Sequence, residues 1–540
     1  MKRYMKNLVS TAAIGLVFGI VSCTGDLDVT PISPNIDTEL NADGLFNKCY
    51  ANFALAGNGG ANGDCDIDGL DGGTTGFVRQ LFNSNEQTTD EAICGWGDDG
   101  VASFCYNSYN ASHPMLKGFY YRLTTGISYC NRYLELIGDA EPTKRAEVRF
   151  LRAFQYYLLM DGWGNVPFTT KSLDKPVQYS RAQMFEWINN ELAEIEPDLS
   201  EPKAKKSSDP GYGRVDRAAC WLLQARMALN AEVYTGTAQW SQAKTYANKV
   251  MTSSYRLNTQ GVGGWTAYQM LFMGDNGETD AAYEGIFPLL CDGLKTTSWG
   301  TSLFLMAGCF DNKMHANPKN LNATNGTDQN WGGNRARPDL IRKFFPDKSA
   351  DVPQVASYDM YVAAGDDRAL FDGIGRTLDN NDVSTFTSGY AVAKFTNFKT
   401  NGAAGSDATF PDADFFLMRV AEAYLTYAEA DARLNGGKTS IDGTKAINDI
   451  RNRAHASTRS ESASYSLSEI CDEWSREFYF EGRRRTDLIR FGRYGGNNNY
   501  NWQWKGGDKA GRNFDSHLNI FAIPTEELTA NSNLKQNPEY

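Results

Sequence analysis

The spacing of hydrophobic residues predicts long helices in two blocks of the chain. In "RAEVRFLRAFQYYLLMDGWG" an apolar residue recurs every three or four positions, which places these side chains on one helix face. The residues of that face are Phe150, Leu151, Phe154, Tyr157 and Leu158. The segment "DFFLMRVAEAYLTYAEADARLNGG" carries a similar stripe, and Gly436-Gly437 is expected to end its helix. We predict a helical scaffold mainly over residues 113–255 and 412–494.

Small residues recur where neighbouring helices are expected to cross. The segments "DRAACWLLQARMALNAEVY" and "WSQAKTYANKVM" are predicted to pair, as are the second-block helix and "GTKAINDIRNRAH", and Ser466 and Glu469 predict a capping box before a further helix. The alanines of the first pair are Ala218, Ala219, Ala225, Ala228, Ala243 and Ala247. This pattern resembles tetratricopeptide repeats in degenerate form, because its period is irregular. Generic helix packing is the alternative, and either gives a mainly α fold.

Two stretches lack helical periodicity. Residues 52–112 and 256–411 are rich in Gly, Asn and Asp, with aromatic residues interspersed. Loops held by a rigid scaffold are where binding groups are concentrated. We therefore predict a loop-rich binding lobe made mainly of these two stretches.

The N-terminus has the pattern of an export signal. Lys2, Arg3 and Lys6 precede an apolar run of only 13 residues, Leu8 to Ile20, whereas a membrane span needs about 20. The sequence Ile20-Val21-Ser22-Cys23 then resembles a bacterial lipobox. We predict a signal peptide over residues 1–22, a lipid on Cys23 and a polar tether over 23–40, which together would hold a soluble domain at a membrane surface. An ordinary cleaved signal is the alternative.

Net charge and cysteine spacing argue against several kinds of partner and against a local metal site. The net charge is −12, and removing the three basic residues of the signal makes the mature chain more acidic still. This argues against nucleic acid and anionic lipid surfaces as partners. Nine cysteines besides Cys23 are widely spaced without any CxxC, which disfavours a local zinc site, although a disulfide between Cys94 and Cys105 stays open. The four histidines are expected at polar, solvated positions.

The sequence offers little support for a metal site or for catalysis. In "DCDIDGLDGG" the residues Asp64, Asp66, Asp68 and Gly69 imitate half of a calcium loop, but the twelfth position is Thr75 instead of glutamate. Aspartate and glycine turns that bond their own backbone explain the segment better. The chain has no GxSxG, Cys/His or phosphate-loop frame. We predict no metal, no cofactor and no enzyme activity, with a glycoside hydrolase as the less favoured alternative.

A cluster of arginines lies near the end of the second helical block. Acidic residues are interleaved with it, so we expect ion pairing inside the fold instead of phosphate binding. The arginines are Arg476, Arg483, Arg484, Arg485, Arg490 and Arg493, and the acids are Glu477, Glu481 and Asp487.

Four segments together resemble the SusD/RagB family of outer-membrane nutrient-binding lipoproteins. They are "RFLRAFQYYLLMDGWGNVPF" (149–168), "FFLMRVAEAYLTYAEA" with "INDIRNRA" (415–454), "REFYFEGRRRTDLIRFGRY" (476–494) and "IFAIPTEELTANSNLKQNPEY" (520–540). The lipobox agrees with this resemblance. One departure is Glu539, where the family usually has glycine.

The resemblance implies a single domain over residues 41–540, with a repeat-based helical scaffold and a loop-rich lobe. It also implies a lipid-anchored protein at the cell surface, in the outer membrane, that captures oligo- or polysaccharide. Such a protein passes its cargo to a SusC-like TonB-dependent transporter. A peptide-binding uptake lipoprotein of the RagB type is the alternative.

Tryptophans with glycine neighbours are the predicted sugar-stacking residues, because a sugar ring lays its C–H face on an aromatic ring while polar groups bind its hydroxyls. The resemblance assigns such loop positions to the glycan site. The predicted ligand-binding residues are Trp96, Asp98, Trp299, Trp331, Asn334 and Arg335. Four tryptophans in helical patterns, Trp163, Trp187, Trp221 and Trp474, are expected in the core.

Overall fold

Helices form most of the regular structure in residues 41–63, 65–316, 324–346 and 352–540, which the computed structural model describes. The predicted signal, tether and lipid-carrying Cys23 lie outside these residues, as does Asp64. The described residues from Asp43 onward pack as one unit. None of the helices in this part of the chain combines the length and apolarity needed to cross a membrane.

The α-helices are α1 (Ala42–Ala51), α2 (Gly72–Thr75), α3 (Phe77–Phe82), α4 (Val101–Cys105), α5 (Pro114–Ile137), α6 (Pro142–Trp163), α7 (Arg181–Ile195), α8 (Arg217–Leu229), α9 (Ala231–Thr235), α10 (Trp240–Met251), α11 (Ser302–Gly308), α12 (Pro338–Arg342), α13 (Ser357–Ala364), α14 (Ala421–Leu434), α15 (Ile441–Arg453), α16 (Leu467–Phe478), α17 (Arg484–Arg490) and α18 (Thr525–Ala530). A π-helical turn covers Asn83–Gln87.

The β-structure of the described residues consists of short antiparallel pairs, two of which join segments more than 100 residues apart in sequence. The pairs are β1 (Ala92–Cys94) with β5 (Asn334–Ala336), β2 (Val166–Phe168) with β3 (Val177–Tyr179), β4 (Gly285–Leu289) with β8 (Phe415–Arg419), and β6 (Phe371–Asp372) with β7 (Ala391–Val392). Most of these strands lie in the loop-rich stretches, where they join loops that are far apart in sequence.

The long helices lie in the two predicted blocks and pack on nearby helices of the same block, and α10 and α14 also pack across the two blocks. The pairs include α5 with α6, α8 with α10, and α14 with both α10 and α15. Alanines at these crossings, including Ala218, Ala225, Ala243 and Ala247, are fully buried. The small residues therefore let helices approach closely, as predicted. The tetratricopeptide character of the repeats stays a prediction.

Helix ends follow the signals in the sequence. Ser466 and Glu469 form the predicted capping box at the start of α16. Helix α14 ends at Leu434, and Gly436 and Gly437 then take φ values of +66° and +91°. Glu539 has a φ of +71°. Glycine adopts this left-handed conformation without steric cost, which gives a physical reason for a glycine at this position in relatives.

Of the four tryptophans predicted to lie in the core, two do so. Trp163 and Trp474 are fully buried, whereas Trp187 and Trp221 are only half-buried, so the prediction was wrong for these two. The indole N–H of Trp221 donates to the Glu196 carboxylate at 2.6 Å, near the surface. A tryptophan can bury its ring while its polar edge reaches a partner at the boundary, and helical spacing alone does not distinguish the two cases.

The predicted ion pairing of the arginine cluster is confirmed. Each arginine of the cluster lies within 4 Å of a carboxylate oxygen, in pairs drawn from several helices and loops. The pairs are Arg476–Glu473, Arg483–Asp487, Arg484–Asp90, Arg485–Asp161, Arg490–Glu429 and Arg493–Asp472.

Glu477 lies at the centre of a buried charge network. The guanidinium groups of Arg368, Arg419 and Arg453 all contact its carboxylate, and all four side chains are fully buried. Burial alone would raise the pKa of Glu477, but Arg453, Arg419 and Arg368 outweigh it and hold this pKa at about 2. Arg419 also pairs with Glu284 and Glu481, so the network ties α15 and α16 to β8, which ends at Arg419, and to Glu284, just before β4.

His113 is buried, so the expectation of a solvated position was wrong for this histidine. It caps α5: its Nδ1 accepts from the Leu116 N–H at 3.2 Å, and its Nε2 lies 3.0 Å from the Gly100 carbonyl oxygen. Burial lowers the pKa of His113 to about 4, so the ring is neutral at pH 7. Gly100 leaves room for it, because a Cβ there would lie 2.7 Å from the ring.

The cysteines from Cys49 to Cys471 are all free thiols in the structure. Cys94 and Cys105 contact one another through the Cys94 N–H, which donates to the Cys105 sulfur at 3.3 Å. The disulfide left open by the sequence is therefore not formed between these two residues.

Candidate functional site

Three tryptophans from separate parts of the chain meet in one surface group. The ring centres of Trp96 and Trp331 are 6.3 Å apart, and those of Trp331 and Trp299 are 6.2 Å apart. Phe410 extends the row, with its ring centre 5.1 Å from that of Trp299. We call these four residues the aromatic arc. Sequence reasoning identified the three tryptophans but missed Phe410, which is marked only by its place in a loop of Asp, Gly and Ser residues.

Pairing of β1 with β5 joins the first two tryptophans. Trp96 follows β1 and Trp331 precedes β5, and Cys94 lies opposite Asn334 in the register. The indole N–H of Trp96 then donates to the Trp331 carbonyl at 3.3 Å. A Cβ on Gly333 would lie 2.2 Å from the Trp96 indole, so glycine is required for this close approach.

Trp299 is held from the opposite side by the first loop-rich stretch. Its indole N–H donates to the Ala61 carbonyl at 3.0 Å. The next residue, Gly300, packs on Gly76 so closely that a Cβ on Gly300 would lie 2.6 Å from the Gly76 Cα. Backbone contact between these loops therefore fixes the position of Trp299 relative to the rest of the arc.

The rings of the arc are half-buried and turn relative to one another. Trp96 and Trp331 pack against the main hydrophobic core, and all four rings keep part of their surface in solvent. Successive ring planes differ by 60°, 50° and 57° along the row. The four rings are therefore not coplanar and do not form one flat apolar surface.

Polar groups border the Trp96 end of the arc. Arg79, on α3, donates to the Asp98 carboxylate at 2.5 Å and lies 5.7 Å from the Trp96 ring centre. The Arg79 Nε is buried and lacks a hydrogen-bond partner among the described residues. Asp98 itself is exposed, as a ligand-binding residue would need to be. One signal in the sequence could have identified Arg79: it is the single charged residue in the largely apolar segment "FVRQLF".

Asn334 and Arg335 do not reach the surface of the arc, which corrects their assignment as ligand-binding residues. Both are fully buried. Arg335 donates to the carbonyl groups of Asp382, Val383 and Ser388 at 2.6–2.9 Å, and burial lowers its pKa to about 10. Asn334 accepts from the Gln87 side chain at 3.0 Å. These residues hold the loops behind the arc, because all three residues of β5 are buried.

Among the described residues that imitate a calcium loop, Asp66 is engaged in the fold. Asp66 accepts from Arg122 at 2.7 Å and from the Tyr129 hydroxyl at 3.0 Å. Burial raises the pKa of Asp66, but Arg122 and Lys48 outweigh this effect and lower the pKa overall. The Asp66 carboxylate is therefore paired with the buried Arg122 guanidinium. Elsewhere in the described residues, Asp515, His517 and Glu539 bring potential metal-ligating atoms within 4.8 Å of one another at the surface.

Comparisons with known proteins place the chain among SusD-type proteins, one group of which is described as associating with the outer membrane. Residues 373–540 match the SusD family, and residues 75–210 match the family described as starch-binding and associating with the outer membrane. Across its full length the chain is 38% identical to the starch-binding protein SusD of Bacteroides thetaiotaomicron, covering 99% of that protein. The chain belongs to the SusD family.

Solved structures share the fold at lower identity. A SusD superfamily protein from Parabacteroides distasonis superposes with a TM-score of 0.66 at 18% identity, over 93% of this chain and all of the other. Surface glycan-binding protein A from Bacteroides thetaiotaomicron, solved in complex with laminarihexaose, superposes with a TM-score of 0.63 at 18% identity. That match covers 92% of this chain and 98% of the other. These matches confirm the helix-rich SusD-like fold.

Proposed function

We propose that this protein binds a glycan on the aromatic arc without cleaving it. The observation that carries the proposal is the partly exposed row of Trp96, Trp331, Trp299 and Phe410. Sugar rings stack their C–H faces on such rings, and Arg79 and Asp98 at one end offer a donor and an acceptor for hydroxyl groups. The name of the starch-binding relative and the laminarihexaose complex of a structural neighbour support this function.

The shape of the arc favours a helically curved glycan. Ring planes that lie 50–60° apart do not offer the single flat platform that suits a flat, extended glycan, which favours a chain that bends, such as an α-1,4-glucan. The 38% identity to a starch-binding protein points to the same class. We therefore propose starch-type oligosaccharides as the preferred cargo.

Weak to moderate affinity is expected. Three stacking contacts contribute about 1 kcal/mol each, and a few hydrogen bonds together contribute a similar free energy. The entropy lost on association opposes both contributions. The net free energy of about −4 to −6 kcal/mol corresponds to dissociation constants from about 1 mM to tens of micromolar. Such affinity suits a protein that must pass its cargo onward.

The remaining steps of the proposed function are display and delivery. Cys23 would carry the lipid that anchors the protein in the outer membrane, and a SusC-like TonB-dependent transporter would receive the glycan. The lipobox sequence and the family described as associating with the outer membrane support this arrangement. Replacing Cys23 by Ala should move the protein out of the membrane fraction. Continued membrane fractionation with no lipid mass on the N-terminal peptide would contradict the anchor.

Calorimetry with maltoheptaose tests the binding step. We expect binding in the stated range, much weaker binding of a cello-oligosaccharide of equal length, and unchanged oligosaccharide length on chromatography after prolonged incubation. Release of shorter sugars at enzyme-like rates would favour a glycoside hydrolase. Binding of peptides but not sugars would favour the peptide-uptake alternative.

A further inference from the structure

An open cleft of about 480 Å³ lies next to the Phe410 end of the aromatic arc. Its walls come from residues within 207–212, 274–278 and 290–294, together with Lys399, Ser406, Asp412 and Asp414. Of these segments, only the loop that carries Phe410 also contributes to the aromatic arc. The cleft is separate from the Trp96 end of the arc, where Arg79 and Asp98 lie.

The cleft and the arc share their supporting loops. Asp412 lines the cleft two residues after Phe410, and its carboxylate accepts from the Gly293 N–H at 2.9 Å. A Cβ on Gly293 would lie 2.4 Å from the Phe410 carbonyl oxygen, so the two loops touch at this point. The segment that begins at Leu290 in the cleft ends at Trp299 in the arc. The cleft therefore adjoins the loop that carries Phe410.

Apolar side chains in the cleft are unusually exposed. Leu294 is 68% exposed and Leu290 is 44% exposed, and both line the cleft beside the Tyr212 ring. The Tyr212 hydroxyl is occupied by Asp414, to which it donates at 2.7 Å, so the ring offers mainly its apolar surface. Exposed apolar side chains grouped in a concave site commonly mark a binding surface.

The charged side chains of the cleft are mostly acidic. They are Asp209, Glu278, Asp292, Asp412, Asp414 and Lys399. Lys399 is itself drawn to acids, with its ammonium 3.3 Å from Glu278 and 3.7 Å from Asp412. Burial raises the pKa of Asp414 to about 7, but the other four carboxylates still outnumber the single ammonium group. Carboxylates accept hydrogen bonds from hydroxyl groups and repel anions.

We propose that the glycan-binding surface continues from Trp299 and Phe410 into this cleft, and that the chain bound along both is neutral and carries no uronate or sulfate groups. The inference rests on the proposed glycan binding at the arc. The cleft is then a second segment of the site, which makes additional contacts with longer chains and repels acidic ones.

Calorimetry with three ligands tests the proposal: maltotriose, maltoheptaose, and maltoheptaose oxidised at C6 to glucuronic acid. For the unmodified protein we expect maltoheptaose to bind at least tenfold more tightly than maltotriose, and the oxidised chain to bind no more tightly than maltotriose. Leu294→Ser should reduce the tenfold ratio to about threefold without changing the affinity for maltotriose. Leu173→Ser is the matched control, since Leu173 is 94% exposed in a loop outside both surfaces.

The outcomes separate this proposal from the one on which it rests. If maltotriose binds and Trp331→Ala weakens that binding by about fivefold or more, but both chain lengths bind equally, glycan binding at the arc is supported and the cleft extension is overturned. Tight binding of the oxidised chain would also overturn the extension, as would an unchanged ratio in Leu294→Ser. If neither sugar binds, the glycan proposal itself fails and the extension fails with it.

Discussion

The interior around Glu477 buries charged side chains, whereas the surface around Trp331 leaves aromatic side chains partly exposed to water. Around Glu477, three arginines are removed from water and held by carboxylates. Around Trp331, large aromatic rings keep part of their surface in water although they pack on the core behind them. A charge is buried only where a partner compensates it, whereas a ring left exposed costs hydrophobic burial that a ligand can later supply. Changes in the first region should therefore affect stability, and changes in the second should affect binding.

The largest expected effect is on stability, from Glu477→Gln. Neutralising this carboxylate leaves Arg368, Arg419 and Arg453 without their shared partner, so we expect a loss of about 3–5 kcal/mol in the free energy of unfolding. Denaturant unfolding measures it. Asp449→Asn is the control, because Asp449 forms a solvent-exposed pair with Lys445 and should change stability by less than about 0.5 kcal/mol. Equal stability of the two variants would show that the buried network does not hold the scaffold.

The next effect is a pH dependence that comes from His113, beneath the loop that carries Trp96. The folded-state pKa of about 4 lies below the ordinary value of 6.5, so the unfolded chain binds the proton more readily. Stability should therefore fall by about 2 kcal/mol as pH drops from 6.5 to 4.5. Glu477 stays ionised over this range, since its pKa is about 2.

His113→Asn sharpens this test. Asparagine is a good helix N-cap and does not titrate, so the variant should lose this part of the pH dependence whatever its stability at pH 7. Unfolding curves at pH 7, 5.5 and 4.5 give the comparison. An unchanged slope in the variant would assign the pH dependence to other groups.

A smaller effect, on binding, is expected from Trp331→Ala. Trp331 contacts both neighbouring rings. Its removal should cost about 1 kcal/mol of stacking free energy and so weaken glycan binding by about fivefold or more. Stability should change far less than in Trp163→Ala, where a fully buried ring leaves a cavity that costs about 3–5 kcal/mol. If Trp331→Ala unfolds as easily as Trp163→Ala while binding is normal in folded protein, the arc is structural.

The smallest expected effect comes from Asp98→Ala. Its carboxylate is 47% exposed and pairs with Arg79 at 2.5 Å, so water and salt weaken this interaction. We expect glycan affinity to fall by less than about threefold and stability to stay nearly constant. Asp99→Ala, the exposed neighbour, should change neither. A loss above tenfold in Asp98→Ala alone would make Asp98 a principal ligand contact.

The sequence by itself determined the features that depend on neighbouring residues. Hydrophobic spacing located the long helices, and the Ser466–Glu469 box and the Gly436-Gly437 pair gave their ends correctly, because caps and helix faces are built from residues a few positions apart. Glycine neighbours also directed attention to the three tryptophans that meet in the arc. The family resemblance, carried by four short segments, agrees with the full-length similarity to a starch-binding protein.

Only the tertiary structure decided which side chains face solvent. Asn334 and Arg335 stand next to Trp331 in sequence, yet pairing of β5 with β1 buries them and leaves the tryptophan at the surface. His113 is buried because α5 begins beneath the loop that contains Gly100. Phe410 and Arg79 join the site from segments more than 300 residues apart. Each outcome depends on long-range packing, which local periodicity and residue type do not encode.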